Sequence, residues 1–525
     1  MAEKRVLNKT RNTARGIGAG LINRIVTLIL PFVVRTLLIK YIGMDYAGLN
    51  GLYSSILQVL NIAELGFSAA IVYSMYKPIA ENNVTTVCAL LKFYRGIYRI
   101  IGIGILAVGL IALPFLPKLI NGTPPAGVNI FIIYILYLLA TSVSYLLYGY
   151  KVSLLEAYQR VDIIQHIGTI ISFLTSLLQI LVIVTLDNFY AYVIVIPLLA
   201  IVRNIIVSYI VDKKFPQYKC AGNISQELKR DIKKKVIGLS IQKICGVSRN
   251  GVANIFISAF ISLEVVGIYN NYYMIFTSLT GILTLVPVSM TAGIGNYVQT
   301  ASVEENHKAL QKFNLLYMMI STVCAVCLFS LYQPFMEIWM GKEYMFGYST
   351  VILLVVYFYM LKMGDIRSIW VDAVGLYWEI RWRAVFETVL NLVLSYVFVR
   401  IWGINGLIAG TLISLFLINF LYSSSITFKY YFGMKKLMAY YMIQIFHLCV
   451  TMTVCALCFY LFAHIENILE ISNLWIKIIY RFVLSIILSV MIIFIIFSRT
   501  KTYKDAKGWI NSKISKDIQN TSFHK

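Results

Sequence analysis

The sequence predicts an all-α polytopic membrane protein, and three observations predict it. The 525 residues are 59% hydrophobic and only 13% charged. The apolar runs recur and are long enough to cross a bilayer at about 1.5 Å per residue. Only 10 prolines interrupt the chain, and the runs lack the ten-residue alternation of an outer-membrane barrel strand. No short apolar region with a small-residue cleavage site opens the sequence, so the first apolar segment is expected to be a span and not a signal peptide.

About fourteen spans are expected, near residues 16–39, 48–75, 93–116, 128–149, 163–186, 189–211, 236–260, 266–297, 312–331, 348–366, 384–402, 405–427, 440–462 and 473–498, within about 2 to 4 residues at each end. An even number puts both termini on one side. Of the 46 Lys and Arg, 36 fall at one set of alternate loops and span ends, and only Lys40, Lys118, Lys342 and Arg400 at the other. Both termini are therefore expected to be cytoplasmic in a multi-pass protein of the cell membrane. The net charge of +23 reads as topology rather than as a nucleic-acid footprint.

An internal repeat gives the domain plan. YIGMDYAGLNGLYSSI (Tyr41 to Ile56) aligns with FISLEVVGIYNNYYMI (Phe260 to Ile275) at an offset of 219 residues. Ile42, Gly48, Tyr53 and Ile56 recur as Ile261, Gly267, Tyr272 and Ile275, and Asp45 becomes Glu264. Residues 1–211 then form an N-terminal six-helix bundle, 212–235 a basic cytoplasmic linker and 236–430 a C-terminal six-helix bundle. Residues 431–498 add two extra spans, and 499–525 a basic cytoplasmic tail. Six spans per half give both halves the same orientation, so they are expected as a parallel repeat about an axis along the membrane normal, with a cavity between them. The linker has an amphipathic look around Ile224 to Ile232, which suits anionic lipid heads or plain positive-inside topology.

Charges inside spans are the candidate site. Arg24 and Arg35 are 11 residues apart, so on one helix they lie within about 20° of each other and roughly 16 Å apart. An arginine in hydrocarbon costs from about 3 to more than 10 kcal/mol, so that face is expected to look into protein or a wet cavity. On the second span, Asn50, Ser54, Asn61, Glu64 and Ser68 form a polar stripe at 100° per residue. Glu64 is expected at the depth of Arg24, as its ion-pair partner or as a coupling group. The seventh span places Arg249 near its middle with Gln242 on about the same face, and Lys243 is the repeat-mate of Arg24. The eighth adds Asn270, Tyr273 and Thr277, groups suited to sugar hydroxyls. The structural alternatives are that Arg35, about one turn from the outer end, snorkels to the interface and that Glu64 merely balances Arg24.

Lys477 and Arg481, in the last span, are expected to pair with Glu466 or Glu470 or to bind lipid. Two C-x-x-C patterns, Cys324/Cys327 and Cys455/Cys458, lie in apolar spans with no His or carboxylate placed to complete a metal site, so they read as filler. His166 and His447 read as core residues rather than proton relays. GIGAG (Gly16 to Gly20) follows no strand and precedes no phosphate-binding lysine. With no metal or cofactor site, no paired catalytic carboxylates and no large outward loop, an enzyme is not expected.

At IGMDYAGLNGLYSSILQVLNIAELGFSAAIVYSMYKPIAENN (residues 42–83) and WGINGLIAGTLIS (402–414) the chain resembles the Wzx-type polysaccharide or O-antigen repeat-unit flippases of the multidrug/oligosaccharidyl-lipid/polysaccharide exporter (MOP) superfamily. The resemblance implies export of undecaprenyl-pyrophosphate-linked oligosaccharide from the cytoplasmic to the outer leaflet, for capsule, O-antigen or exopolysaccharide synthesis, by alternating access. It also implies a glycan polymerase and glycosyltransferases as pathway partners. Arg24, Arg249 and Arg35 are then candidates for the pyrophosphate, and Asn50, Ser54, Asn61, Ser68, Gln242, Asn270, Tyr273 and Thr277 for the sugar. The rivals are a small-solute or multidrug antiporter of the same superfamily, expected to carry an acidic cavity, and a membrane glycan polymerase or assembly scaffold.

Overall fold

A computed structural model describes residues 26–64 and 66–522, with the backbone alone at 63, 237–250, 292, 510 and 513–522. Among the described residues all regular structure is helical. Nine helices among the described residues are long and apolar enough to cross a membrane, or ten if the bent pair Ile130–Leu146 and Gly149–Ala157 is one span. The chain forms two compact units, Met1–Asn270 and Asn271–Lys525.

The first unit begins, among the described residues, with helix α1 (26–37), which widens into a π turn at Leu38–Ile42 before Gly43. There follow α2 (Met44–Leu60), α3 (Phe67–Ala80), α4 (Val84–Ala112), α5 (Ile130–Leu146), the short α6 (Val152–Ala157), α7 (Val161–Leu186), α8 (Phe189–Lys214) and α9 (Gln226–Phe260). Asparagine opens several of the apolar helices: the side chains of Asn83, Asn129 and Asn188 accept from backbone N–H groups in the first turns of α4, α5 and α8. This satisfies donors that lipid cannot. α5 packs on α4 and α8, α7 on α8, and α2 on α9.

The basic linker continues α8 to Lys214, and from Gln226 it is the start of α9, capped by Ser225. Its apolar side is not presented to lipid: Ile224 and Ile232 are buried in a core with Val87, Leu90 and Tyr94 of α4.

In the second unit, α10 (Leu263–Leu283) runs in from the first and is followed by α11 (Leu285–Thr300), α12 (Val303–Met340), α13 (Tyr348–Lys362), α14 (Asp365–Val374) and α15 (Arg381–Ser414). After π turns flanking α16 (Ser423–Thr427) come α17 (Leu437–Ile468), α18 (Leu474–Phe497) and α19 (Lys501–Ser522). α12 is the hub, packing on α13, α17, α18 and α19. Ser302 and Glu305 form a reciprocal capping box at its start.

The expected boundary between residues 402 and 405 is a fold-back inside α15. Gly403 sits at φ 57°, ψ −133°, a backbone that glycine adopts readily and other residues rarely do. Beyond it Gly406 lies so close to the Phe398 carbonyl that a Cβ would stand 2.0 Å away. Farther along the two arms, Asn391 donates to Thr411 at 3.0 Å. The arms therefore run antiparallel in close contact.

α18 shows the inverted amphipathicity of a membrane helix. Ser485 and Ser489 are fully buried, whereas Phe482, Val483, Ile487, Val490 and Phe494 are exposed. In water such a face would be an aggregation site; in a bilayer it is the lipid-facing side.

Candidate functional site

The second predicted span is not one straight helix. α2 ends at Leu60, a 3₁₀ turn runs from Asn61 to Glu64, and Gly66 takes a left-handed conformation (φ 93°) before α3 starts. The 100° rule therefore does not carry from Asn50 through Ser68, and the polar residues divide into two groups. Asn50 binds neighbouring helices: its amide donates to the Tyr192 hydroxyl at 3.3 Å, and its carbonyl accepts from Tyr137 at 2.5 Å. Ser54, exposed, donates back to Asn50 at 3.5 Å.

At the break, Asn61 accepts from Tyr145 and Glu64 from Tyr98, both at 3.2 Å. The Tyr98 ring meets Tyr94 and Tyr145 edge-on, with centroids 4.3 and 5.2 Å apart. Glu64 thus lies among tyrosines where a helix has come apart. Ser68 is half-buried just beyond, in the first turn of α3.

These tyrosines were missed in the sequence. Their signal was spacing: Tyr134, Tyr137 and Tyr145 sit within about 80° on one face of α5, and Tyr94 and Tyr98 one turn apart on α4.

The repeat is visible as a reciprocal crossing of α2 with the start of α10. A Cβ on Gly48 would stand 1.9 Å from the Leu263 carbonyl oxygen, and one on Gly267 2.8 Å from that of Met44. Gly267 is the repeat-mate of Gly48, and Leu263 that of Met44, so one contact is made twice with the partners exchanged. Only glycine permits this approach. Repeat-mates clamp it from each side: Arg35 donates to the Gly267 carbonyl at 2.9 Å, and Asn254, 219 residues on, donates to Ser55 at 2.8 Å and Asn270 at 3.0 Å. The half-buried Arg35 is therefore held against a helix backbone.

Of the other predicted residues, Arg24 lies outside the described residues, and Gln242 and Arg249 are described only as backbone of α9. Tyr273 stacks on Phe276 with centroids 5.2 Å apart, and the exposed Thr277 donates to the Tyr273 carbonyl at 2.9 Å. His447 is buried and stacked on Phe497; His166 is exposed, contrary to a core reading.

Sequence reasoning also passed over buried charges in the second unit. Lys362, 2% exposed, reaches Asp365 at 2.8 Å, and Asp365 also accepts from Tyr317 at 2.7 Å. Arg367, equally buried, donates to Ser424 and to the Asn419 carbonyl. The i, i+3 spacing of Lys362 and Asp365 was the available sign.

Residues 13–292, more than half of the chain, match the family described as polysaccharide biosynthesis protein. The chain belongs to that family. Its family is one of polysaccharide biosynthesis, and its described helices are those of a multi-pass membrane protein. No functionally curated protein matches it by sequence.

Among solved structures, it is similar to the lipid II flippase MurJ in an inward closed conformation, with TM-score 0.63 and 13% identity over 92% of this chain and 98% of that one. It is also similar to an inward-facing multidrug resistance MATE family transporter of the MOP superfamily, with TM-score 0.55 and 14% identity over 77% and 98%. For a Vibrio cholerae MATE transporter, VcmN, the values are 0.53 and 14% over 80% and 97%. At such identities the likeness is one of fold: an all-α membrane arrangement of twelve or more helices.

Proposed function

We propose that this protein is a flippase that moves undecaprenyl-pyrophosphate-linked oligosaccharide repeat units from the cytoplasmic to the outer leaflet by alternating access. The observation that carries the reading is the family match over residues 13–292, which contain both copies of the repeat. The fold likeness to a lipid II flippase supports it.

The proposed topology has fourteen spans and two cytoplasmic termini. Ten spans are the nine long apolar helices and the bent pair. The other four are α1, the broken pair α2–α3, α9, and the second arm of the fold-back at Gly403. In this reading Arg24 and Arg249 bind the pyrophosphate, since a fork of donors suits a phosphate better than a point charge. Arg35 acts chiefly as a brace at the crossing. Ser54, Ser68, Gln242, Asn270, Tyr273 and Thr277 meet sugar; Asn50 and Asn61 orient tyrosines that do so.

Glu64 is the proposed coupling group. A carboxylate among tyrosine hydroxyls at a broken helix is suited to exchanging a proton or a cation. The membrane potential is the alternative drive: outward transfer of a dianion gains about 2.3 kcal/mol per charge per 100 mV. Transport in liposomes of set potential and set pH separates the two, because loss of the pH response in Glu64→Gln supports coupling through Glu64, whereas a response to voltage alone removes it.

The fold likeness to MATE transporters favours a second reading, small-solute antiport. Depletion of the protein decides between them. The flippase reading expects lipid-linked repeat units to accumulate on the cytoplasmic face, and antiport expects none.

A further inference from the structure

α17 and α18 carry an ion-pair cluster with surplus positive charge. Lys477 and Arg481 are one turn apart on α18, and both reach Glu466 on α17. Lys477 Nζ lies 3.0 Å from Glu466 Oε2, and Arg481 Nε donates to Oε1 at 2.8 Å. The Tyr480 hydroxyl donates to the same carboxylate, and the other side of the Arg481 guanidinium reaches the Ser330 carbonyl at 3.3 Å. Two cations thus share one carboxylate, and the cluster carries a net charge of +1 among the described residues. The Arg481 side chain is only 13% exposed. Surplus charge so placed beside hydrocarbon is costly unless an anion joins it.

Space for that anion lies next to the cluster. A cavity of about 260 Å³ opens between Arg481 and Glu466 on one side and Phe329, Phe459 and Phe462 on the other. Ser330, also in its wall, is 3% exposed, and its hydroxyl has no hydrogen-bond partner among the described residues. A buried hydroxyl left unbonded is destabilising, and an acceptor oxygen in the cavity removes the penalty.

We propose that this cavity binds the phosphate group of an anionic membrane lipid. The Ser330 hydroxyl and Arg481 donate to the phosphate oxygens, Lys477 neutralises Glu466 and so leaves the charge of Arg481 to the phosphate, and the lipid's glycerol and upper chains pack on the phenylalanines. A singly charged phosphodiester brings the cluster to neutrality. Free phosphate shares the headgroup chemistry, but the aromatic wall gives it nothing to bury. In the topology proposed above, the site faces the outer leaflet, because the C-terminal tail follows the opposite end of α18. The lipid contact itself does not depend on that orientation.

Native mass spectrometry of the full-length protein exposed to phosphatidylglycerol, phosphatidylcholine or inorganic phosphate tests the site without any transport assay, so a failure of the flippase reading leaves it testable. The expected result is one phosphatidylglycerol retained in preference to phosphatidylcholine. Lys477→Gln leaves one cation facing one carboxylate, and occupancy then falls about fivefold, the worth of one basic residue near anionic lipid. Ala463→Phe fills the cavity from its exposed rim without touching a charge and gives a loss at least as large. Lipid-free thermal unfolding of both variants matches that of the parent. Equal retention of the two lipids, or phosphatidylglycerol held unchanged by both variants, overturns the proposal. Inorganic phosphate bound as firmly as the lipid overturns its lipid part.

Discussion

The pair α2–α3 and the pair α10–α11 are interrupted at corresponding places in the repeat, yet only one interruption carries an ionisable group. In the first, the helix gives way over Asn61–Glu64, and Gly66 turns left-handed. In the second, 219 residues on, α10 ends at Leu283 and α11 begins at Leu285, with Thr284 between them. Thr280 stands where Asn61 does, and Leu283 where Glu64 does. The second interruption is barely a break, since Thr284 keeps helical angles (φ −62°, ψ −20°), whereas the glycine crossing is kept by both copies and belongs to the fold. The carboxylate with its tyrosine donor Tyr98 belongs to one copy, and so is better explained by function.

Exchanging the two positions is the most damaging way to probe that difference. Leu283 is 4% exposed, so Leu283→Glu buries a charge and is expected to destabilise by about 3 to 5 kcal/mol. Thermal unfolding in detergent measures it; a shift as small as that of a surface substitution would show that the second break also accommodates an acid. Gly48→Val drives a Cβ into the Leu263 carbonyl and is expected to cost about 3 kcal/mol. Wild-type yield and unfolding temperature would contradict the close crossing of α2 and α10.

Tyr98→Phe removes one hydrogen bond to a carboxylate and should cost about 1.5 to 3 kcal/mol if Glu64 is charged, and about 1 if it is protonated. The pH dependence of that difference reports the state of Glu64. Ser54→Ala, on an exposed residue hydrogen-bonded only to Asn50 among the described residues, is expected within about 0.5 kcal/mol. A larger loss would mean that Ser54 has a role in the fold.

Much of the architecture was legible because lipid simplifies the code. Apolar runs gave the nine or ten long spans seen among the described residues, and Asn129, Asn188 and Gly403 stood where breaks were expected. The repeat was legible from Gly48 and Gly267, although the purpose of those glycines, a backbone crossing made twice, needs three dimensions.

The site was read less well, for a definite reason. A stripe at 100° per residue presumes an unbroken helix, and no residue between Asn50 and Ser68 other than Gly66 announces the break. The tyrosine partners of Asn50, Asn61 and Glu64 come from α4, α5 and α8, which a reading along one helix does not reach. Lys362 and Arg367 were counted as loop charges because hydropathy dips at a span end, and burial by neighbouring helices does not register in a linear window. The pairing of Lys477 and Arg481 with Glu466 was one of the alternatives the sequence left open, beside Glu470 and lipid.

The central claim, that this protein moves a lipid-linked glycan with a cationic site, is tested most directly in proteoliposomes. An undecaprenyl-pyrophosphate-linked oligosaccharide labelled on its sugar is supplied in one leaflet, and its appearance in the other is followed for the parent, Arg24→Ala and Arg249→Ala at matched protein levels. The account predicts rapid transfer by the parent and a loss of at least about tenfold in each variant, the worth of one charge-assisted phosphate contact. Transfer by both variants at the parent's rate, or none by the parent, would contradict it.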